Sequence, residues 1–278
     1  MADAGNAWRF IDTGINDGFM NMAIDEAMLE MHLQGQIPPT IRIYRWSPPA
    51  LSIGYLQSIE KDVDQNKCLE LGIDVVRRLT GGRGVLHGDE LTYSVIASGK
   101  CGLPGTILQS YRIINEGLIA AYRILGLEVN LVSNEKVLSS ASCFAGAATA
   151  DLTCRGRKIA GGAQFRRGDA ILQHGSLPIV LDFDLCIAVH KFSTPEIRGR
   201  ALNTLRKKAT DIKTALGKQI DWQELVHALF AGFQKSLGIK LYKDRLTSAE
   251  IELSRKLVKE KYCTTAWNDF GVCNGKRR

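Results

Sequence analysis

The sequence predicts an α+β fold in which a mixed, mostly antiparallel sheet is flanked by helices and followed by a small helical C-terminal part. Three observations lead there. Short apolar runs bounded by glycine, proline and serine clusters fill much of the first two thirds of the chain, as strands between turns do. Stretches of helical periodicity are set among them and stopped by glycines. The last third is dominated by such stretches. Neither an internal repeat nor a low-complexity segment is visible.

Taken in order, residues 8–11 read as a strand. Met20, Ala23, Ile24, Ala27, Met28 and Met31 then share one helical face, and Gly35 closes the run as a C′ residue. Pro38 and Pro39 interrupt. Residues 41–46 and 51–55 are strands joined by a Ser47-Pro48-Pro49 turn. A helix over 59–71 stops at Gly72, and a strand over 73–76 runs into Arg77-Arg78. A strand over 91–97 follows a glycine-rich stretch. Ile107, Leu108, Tyr111, Ile114, Leu118, Ala121, Tyr122 and Leu125 mark the clearest amphipathic helix, ended by Gly126, with a strand over 127–132 behind it. Residues 139–148 are mostly small, which favours a loop. Strands over 150–154 and 158–164 flank Arg155-Gly156-Arg157, a hairpin signal, and 170–180 is extended. Asp221 with Glu224 and Thr247 with Glu250 have capping-box spacing. The first of these two helices ends at Gly238, and the second runs to about 262.

With 278 residues, 45% hydrophobic and 23% charged, the chain can bury a full core without staples. Residues 8–200 read as a catalytic domain and 201–278 as a helical part packed on it, with a composition shift near 194–205. No apolar run approaches the roughly 20 residues that span a bilayer. The N-terminal stretch carries neither a basic n-region nor an apolar core, so the expected location is cytoplasmic. The seven cysteines are scattered, and none sits in zinc-finger spacing, so reduced thiols and no metal are expected. A net charge of +7 admits nucleic acid, an anionic membrane or an acidic protein as partner. Between Lys191 and Lys218 lie Arg198, Arg200, Arg206, Lys207, Lys208 and Lys213, against Glu196 and Asp211 alone. No helix-turn-helix, zinc finger or aromatic-laced RNA motif accompanies them, so neither nucleic acid nor membrane is the expected partner.

Two stretches carry chemistry. Arg77-Arg78-Leu79-Thr80-Gly81-Gly82-Arg83-Gly84-Val85-Leu86-His87 lies between two strands. Its glycines let the backbone bend tightly and bring amides close to a ligand, while its arginines suit an anionic ligand end. It is neither a Walker loop nor a dinucleotide fingerprint. His87 is either a base or a hydrogen-bonded structural histidine. The second stretch, Gly156-Arg157-Lys158-Ile159-Ala160-Gly161-Gly162-Ala163-Gln164, starts a strand with a lysine beside small residues. Such a lysine can lie along a slot with its ammonium on a ligand carbonyl or a thiolate. The candidate substrate-binding set is Arg78, Gly81, Gly82, Arg83, Gly84, His87, Gly161 and Gly162.

Together the two motifs closely resemble those of the lipoate–protein ligase and lipoyl/octanoyl transferase family. The blocks Asn21-Met22-Ala23-Ile24-Asp25-Glu26-Ala27, Tyr55-Leu56-Gln57 and Gln173-His174-Gly175-Ser176-Leu177 look like family blocks in the expected order. The resemblance runs from residue 8 to 267 and implies the biotin/lipoate protein ligase catalytic fold. Within the family the chain looks most like octanoyltransferases that hold the acyl group on a cysteine in a small-residue loop. Cys143 and Lys158 match that cysteine and the lysine that lowers its pKa. Arg83 also resembles this branch, whereas Gly88 and Ala145-Gly146-Ala147-Ala148 depart from residues common in the family.

The implied reaction moves octanoyl from octanoyl-acyl carrier protein to Cys143. From there it passes to a lysine of the glycine cleavage H protein or another lipoyl domain. Exchange of one thioester for another is nearly isoenergetic, so no cofactor, ATP or metal is expected for the first step. The rival readings are an ATP-dependent lipoate–protein ligase and an amidotransferase working between lipoyl proteins.

Overall fold

Trp8, Phe10 and Ile11 bury strand β1 (Ala7–Asn16) in a computed structural model that describes residues 7–103, 105–132 and 151–269. Helix α1 (Gly18–Leu33) starts where the Asp17 side chain accepts from the Met20 N–H, and the chain turns away at Gly35. Strands β2 (Thr40–Trp46) and β3 (Ala50–Ile53) follow, but their short connection sends them into different sheets.

The single helix expected over 59–71 is two: α2 (Ile59–Asp62) and α3 (Gln65–Glu70). Between them Val63 forms a bridge with His190, and the Asp64 carboxylate caps α3 by accepting from the Lys67 N–H. An aspartate in that position serves a helix start better than a helix interior. Strands β4 (Asp74–Arg77), β5 (Val85–His87) and β6 (Glu90–Ser98) come next, then helix α4 (Ile107–Ile124) and strand β7 (Val129–Leu131). Strands β8 (Leu152–Cys154) and β9 (Arg157–Arg167) form the expected hairpin. Its two loop residues, Arg155 and Gly156, both have positive φ, as a type I′ turn requires. Strand β10 (Ala170–Pro178) turns back along β9.

The eight-stranded sheet has the order β11-β1-β2-β6-β10-β9-β8-β7, where β11 is Lys240–Asp244. Strand β1 runs parallel to both β2 and β11, and the other pairs are antiparallel. A smaller sheet has the order β4-β3-β5. Helix α4 packs with α8 (Trp222–Leu237) over the large sheet, joining Ile114, Leu118, Leu229 and Phe233 to Ile43, Tyr93 and Val95 in one core. Helix α1, with α9 (Ser248–Leu257) and the π turn Val258–Tyr262 behind it, contributes to separate clusters around Met28 and Tyr44.

Helices α5 (Phe183–Ala188), α6 (Pro195–Lys208) and α7 (Ile212–Leu216) lie around the composition shift near 194–205, where the sequence marks no individual helix. Two of them are one to two turns long, and α6 buries Leu205 alone, so none shows a clear apolar stripe. The C-terminal part also contains β11, which its charges conceal: only Leu241 is buried in Lys240-Leu241-Tyr242-Lys243-Asp244. A short helix α10 (Thr265–Asn268) ends the described chain.

The Thr247–Glu250 capping box forms in full, and Glu250 also holds β1 to α9 through Arg9 Nη2 at 2.6 Å. Both side chains are fully buried. Removing one partner of such a pair strands the other charge, so Glu250→Ala is expected to cost about 3–5 kcal/mol, read as a lower urea midpoint.

Candidate active site

The two motifs meet across one cavity between the small sheet and the large one. Met22, Tyr44 and Trp46 line one side, Gly82 and Val85 another, and Gly161, Gly162, Ala163 and Gly175 a third. The last group comes from β9 and β10, which pair Gly162 with Gly175 and Gly161 with Ser176. Missing side chains there leave bare strand surface for a ligand to lie against.

The glycine-rich segment joins β4 to β5, which are not paired with each other but lie on either side of β3. It crosses so close to β3 that a Cβ on Gly54 would stand 2.0 Å from the Gly82 carbonyl oxygen. Arg78 fastens it. Its Nη2 donates to the carbonyls of Gly81 and Arg83, Nη1 to the carbonyl and hydroxyl of Ser52, and Nε to Thr80 Oγ1.

From Arg78 two parallel chains of hydrogen bonds run into the sheet. Thr80 Oγ1 lies 2.7 Å from His174 Nε2, and His174 Nδ1 lies 3.0 Å from Asp25 Oδ2. Ser52 Oγ lies 2.8 Å from His87 Nε2, and His87 Nδ1 lies 2.8 Å from Glu90 Oε1. Burial holds His174 below the ordinary histidine pKa despite the nearby Asp25, so its ring is neutral at neutral pH. Burial pushes Asp25 up, but Arg42, with His174 and Ser94, outweighs it and keeps the carboxyl below its usual pKa. The ionised Asp25 therefore accepts from Nδ1–H, and His174 Nε2 accepts from the Thr80 hydroxyl. His87 also stacks on Trp46 at 3.9 Å, and Ser176 Oγ donates to the second oxygen of Glu90 at 2.7 Å. These buried chains tie the loop to β3, β6, β10 and α1.

The positions proposed from sequence therefore separate by role. Gly82, Gly161, Gly162, His87 and Arg78 line the cavity. Arg78 is nonetheless no free anion clamp, because every nitrogen of its guanidinium is engaged by the protein. Arg77, also read as suiting an anion, is buried under carbonyls of Gly54, Tyr55, Gln57, Trp267 and Asn268. Both nitrogens of His87 are occupied, which favours the structural reading over the base. Gly81 supplies a carbonyl to Arg78, and Gly84 packs against Leu51 and the His190 ring. Arg83 stands half-exposed, with Nη1 3.8 Å from Asp62.

Lys158 is buried, and its Nζ lies 2.8 Å from Asp151 Oδ2. A Cβ on Gly161 would meet its Cε at 2.9 Å and its Nζ at 3.1 Å, so the ammonium packs against a glycine that itself lines the cavity. Cys143 lies outside the described residues. Of the described cysteines, burial pushes Cys68 up to about 11 and Cys186 up to about 12, which makes both poor nucleophiles at neutral pH. A hydrogen bond from His32 instead lowers the half-buried Cys101. Asp25, Ser52, Thr80, Glu90, Asp151 and His174 were not singled out as site residues from the sequence. Glu90, three residues after His87, and Asp151, across the hairpin from Lys158, had local signals; the others meet only through the sheets.

Among the described residues no group of three or more His, Cys, Asp or Glu could hold a metal ion. No helix there is long and apolar enough to cross a membrane.

Residues 17–234 match the model of the lipoyl protein ligase A/B catalytic domain. The octanoyltransferase LipM of Anoxybacillus flavithermus is 42% identical over 270 residues, covering 94% of this chain and 97% of that protein. The octanoyltransferase LipM of Geobacillus kaustophilus is 41% identical over 274 residues, covering 95% and 99%. In structure, the chain is similar to a bipartite lipoate protein ligase from Thermoplasma acidophilum, with a TM-score of 0.82, 27% identity and coverage of 97% and 99%.

Proposed function

The chain belongs to the lipoyl protein ligase A/B catalytic-domain family and is an octanoyltransferase of protein lipoylation; we propose that it carries the acyl group as a thioester on Cys143. The observation that supports this reading best is the buried Lys158 ammonium packed against Gly161, a glycine that lines a largely apolar cavity. An alkyl chain gains from leaving water there, and a thiolate brought beside the wall gains from the cation.

The Cys143 thiolate attacks the thioester carbonyl of an octanoyl-acyl carrier protein. The resulting tetrahedral oxyanion collapses by breaking the old C–S bond, and the carrier leaves as a thiolate. A lysine amine of the glycine cleavage H protein, or of another lipoyl domain, then attacks the enzyme thioester. A C–N bond forms as the acyl C–S bond breaks, the amine proton passes to water, and Cys143 is released as a thiolate. Donor, acceptor and a cytoplasmic setting belong to this proposal. Lys158 stabilises the thiolate at both ends of the cycle, and Asp151 orients it. The Arg78 network holds the loop that closes the other side of the cavity.

Incubation with octanoyl-acyl carrier protein in the absence of ATP, followed by intact mass, tests the reading. One octanoyl group should appear on Cys143 and disappear when the acceptor is added. Acceptor modification only with ATP and a free fatty acid would instead identify the ligase. Acylation from an octanoylated lipoyl protein but not from the carrier protein would identify the amidotransferase.

A further inference from the structure

Helix α6 packs beside Val85 of the cavity lining and runs up to the strand that carries Lys158. Its partly buried Ala201 and Leu202 and its buried Leu205 belong to the cluster that holds Val85 and Leu86 of β5. Just past its end Ala209 forms a bridge with Lys158, and the Thr210 N–H donates to the Lys158 carbonyl at 2.9 Å. Its exposed surface is mostly basic: Arg200 and Lys207, with Glu196, lie opposite the packed Leu202 and Leu205, Arg206 and Lys208 flank them, and Arg198 lies in line with the packed side. Arg198, Arg200, Arg206, Lys207 and Lys208 are all exposed. Arg206 reaches Asp184 at 2.7 Å, whereas the other four have no ion-pair partner among the described residues.

Helix stability explains only part of this charge. Arg206, Lys207 and Lys208 occupy the last turn, where the helix dipole favours cations. Arg198 lies in the first turn, where the dipole disfavours a cation, and Arg200 is remote from the favourable end. Nor does packing require them, since the buried side of the helix is apolar.

We propose that the outer side of α6, around Arg200, Lys207 and Lys208, is the docking ridge for an acidic acyl-carrier protein acting as the octanoyl donor. The inference rests on the transfer reading above and adds the surface to it. Charge complementarity selects the donor over the acceptor. A carrier whose acyl arm is joined through a phosphodiester brings negative charge to a surface that offers Arg200, Lys207 and Lys208. The acceptor must bring a lysine, whose ammonium the same surface repels. A ridge of this kind acts mainly on the association rate, and salt weakens it over a Debye length of about 8 Å at physiological ionic strength.

The test reverses Arg200, Lys207 and Lys208 to Glu in the full chain and leaves the Arg206–Asp184 pair alone. Acylation of Cys143 is measured with octanoyl-acyl carrier protein and with a small uncharged octanoyl thioester. The expected result is a fall in kcat/KM of about tenfold or more with the carrier, and a much weaker salt dependence. The small thioester should react within about twofold of the parent rate. Equal losses with both donors would assign the charges to the fold, and no loss with either would leave the face merely solvated. An intact acylation rate with slower delivery to the lipoyl domain would make the ridge an acceptor site. Each of those results overturns the proposal. Failure of the parent protein to be acylated by either donor would instead remove the transfer reading, and the ridge's assignment with it.

Discussion

Cys143→Ala is expected to abolish octanoyl transfer, lowering turnover on the order of a thousandfold or more, as loss of a covalent nucleophile does. Cys143→Ser should do nearly the same, because a serine hydroxyl is far less ionised at neutral pH than a thiol. The surrounding residues 139–148 are mostly small, so either substitution should leave the fold intact, checked by an unchanged urea midpoint. Cys68→Ser and Cys186→Ser serve as controls and should retain transfer, since burial keeps both thiols protonated at neutral pH. Cys101 is the sharper control. Its thiol is pulled down by His32, so it should react with alkylating agents in the Cys143→Ala protein without supporting transfer. Transfer by Cys143→Ala at the parent rate would end the covalent mechanism.

The sequence was legible where local chemistry decides structure. Gly35, Gly126 and Gly238 follow helices they were expected to end, and Arg155-Gly156 forms the expected hairpin turn. The two motifs were placed correctly as strand-flanking segments, and they do face one cavity. Illegible features depend on partners far along the chain. Strand β11 exists because β1 offers it an edge, although its own side chains are mostly polar. Arg77 and Arg78 look alike in sequence. Yet one is buried among carbonyls from both ends of the chain, and the other fastens the glycine segment. The chains from Arg78 to Asp25 and to Glu90 join residues of several strands, so no linear spacing announces them. By sequence all three arginines of the segment suit an anionic ligand end, but Arg77 and Arg78 spend their donors on protein oxygens, and only Arg83 stays half-exposed.

Lys158 and Asp151 should move the reactivity of Cys143 in opposite directions. A buried cation favours the thiolate, so Lys158→Ala should shift the pH midpoint of iodoacetamide alkylation upward and slow the reaction about tenfold or more at neutral pH. That substitution also leaves the Asp151 carboxylate buried without its partner at 2.8 Å, and its negative charge opposes the thiolate further. Asp151→Asn has the contrary sign. The amide oxygen can still accept from Lys158 Nζ, while the negative charge that offsets the cation is gone, so the midpoint should fall. With Lys158→Met and Asp151→Asn combined, both charges vanish, and the midpoint should lie between those of the two single variants. The measurement is best made on a Cys101→Ser background, so that the one described thiol with a lowered pKa does not mask the signal. Octanoyl transfer at neutral pH should drop in Lys158→Ala and recover in part as pH is raised, because a higher pH restores the thiolate. A loss of transfer that no pH restores, with an unchanged alkylation profile, would make Lys158 a ligand-holding residue with no influence on the nucleophile.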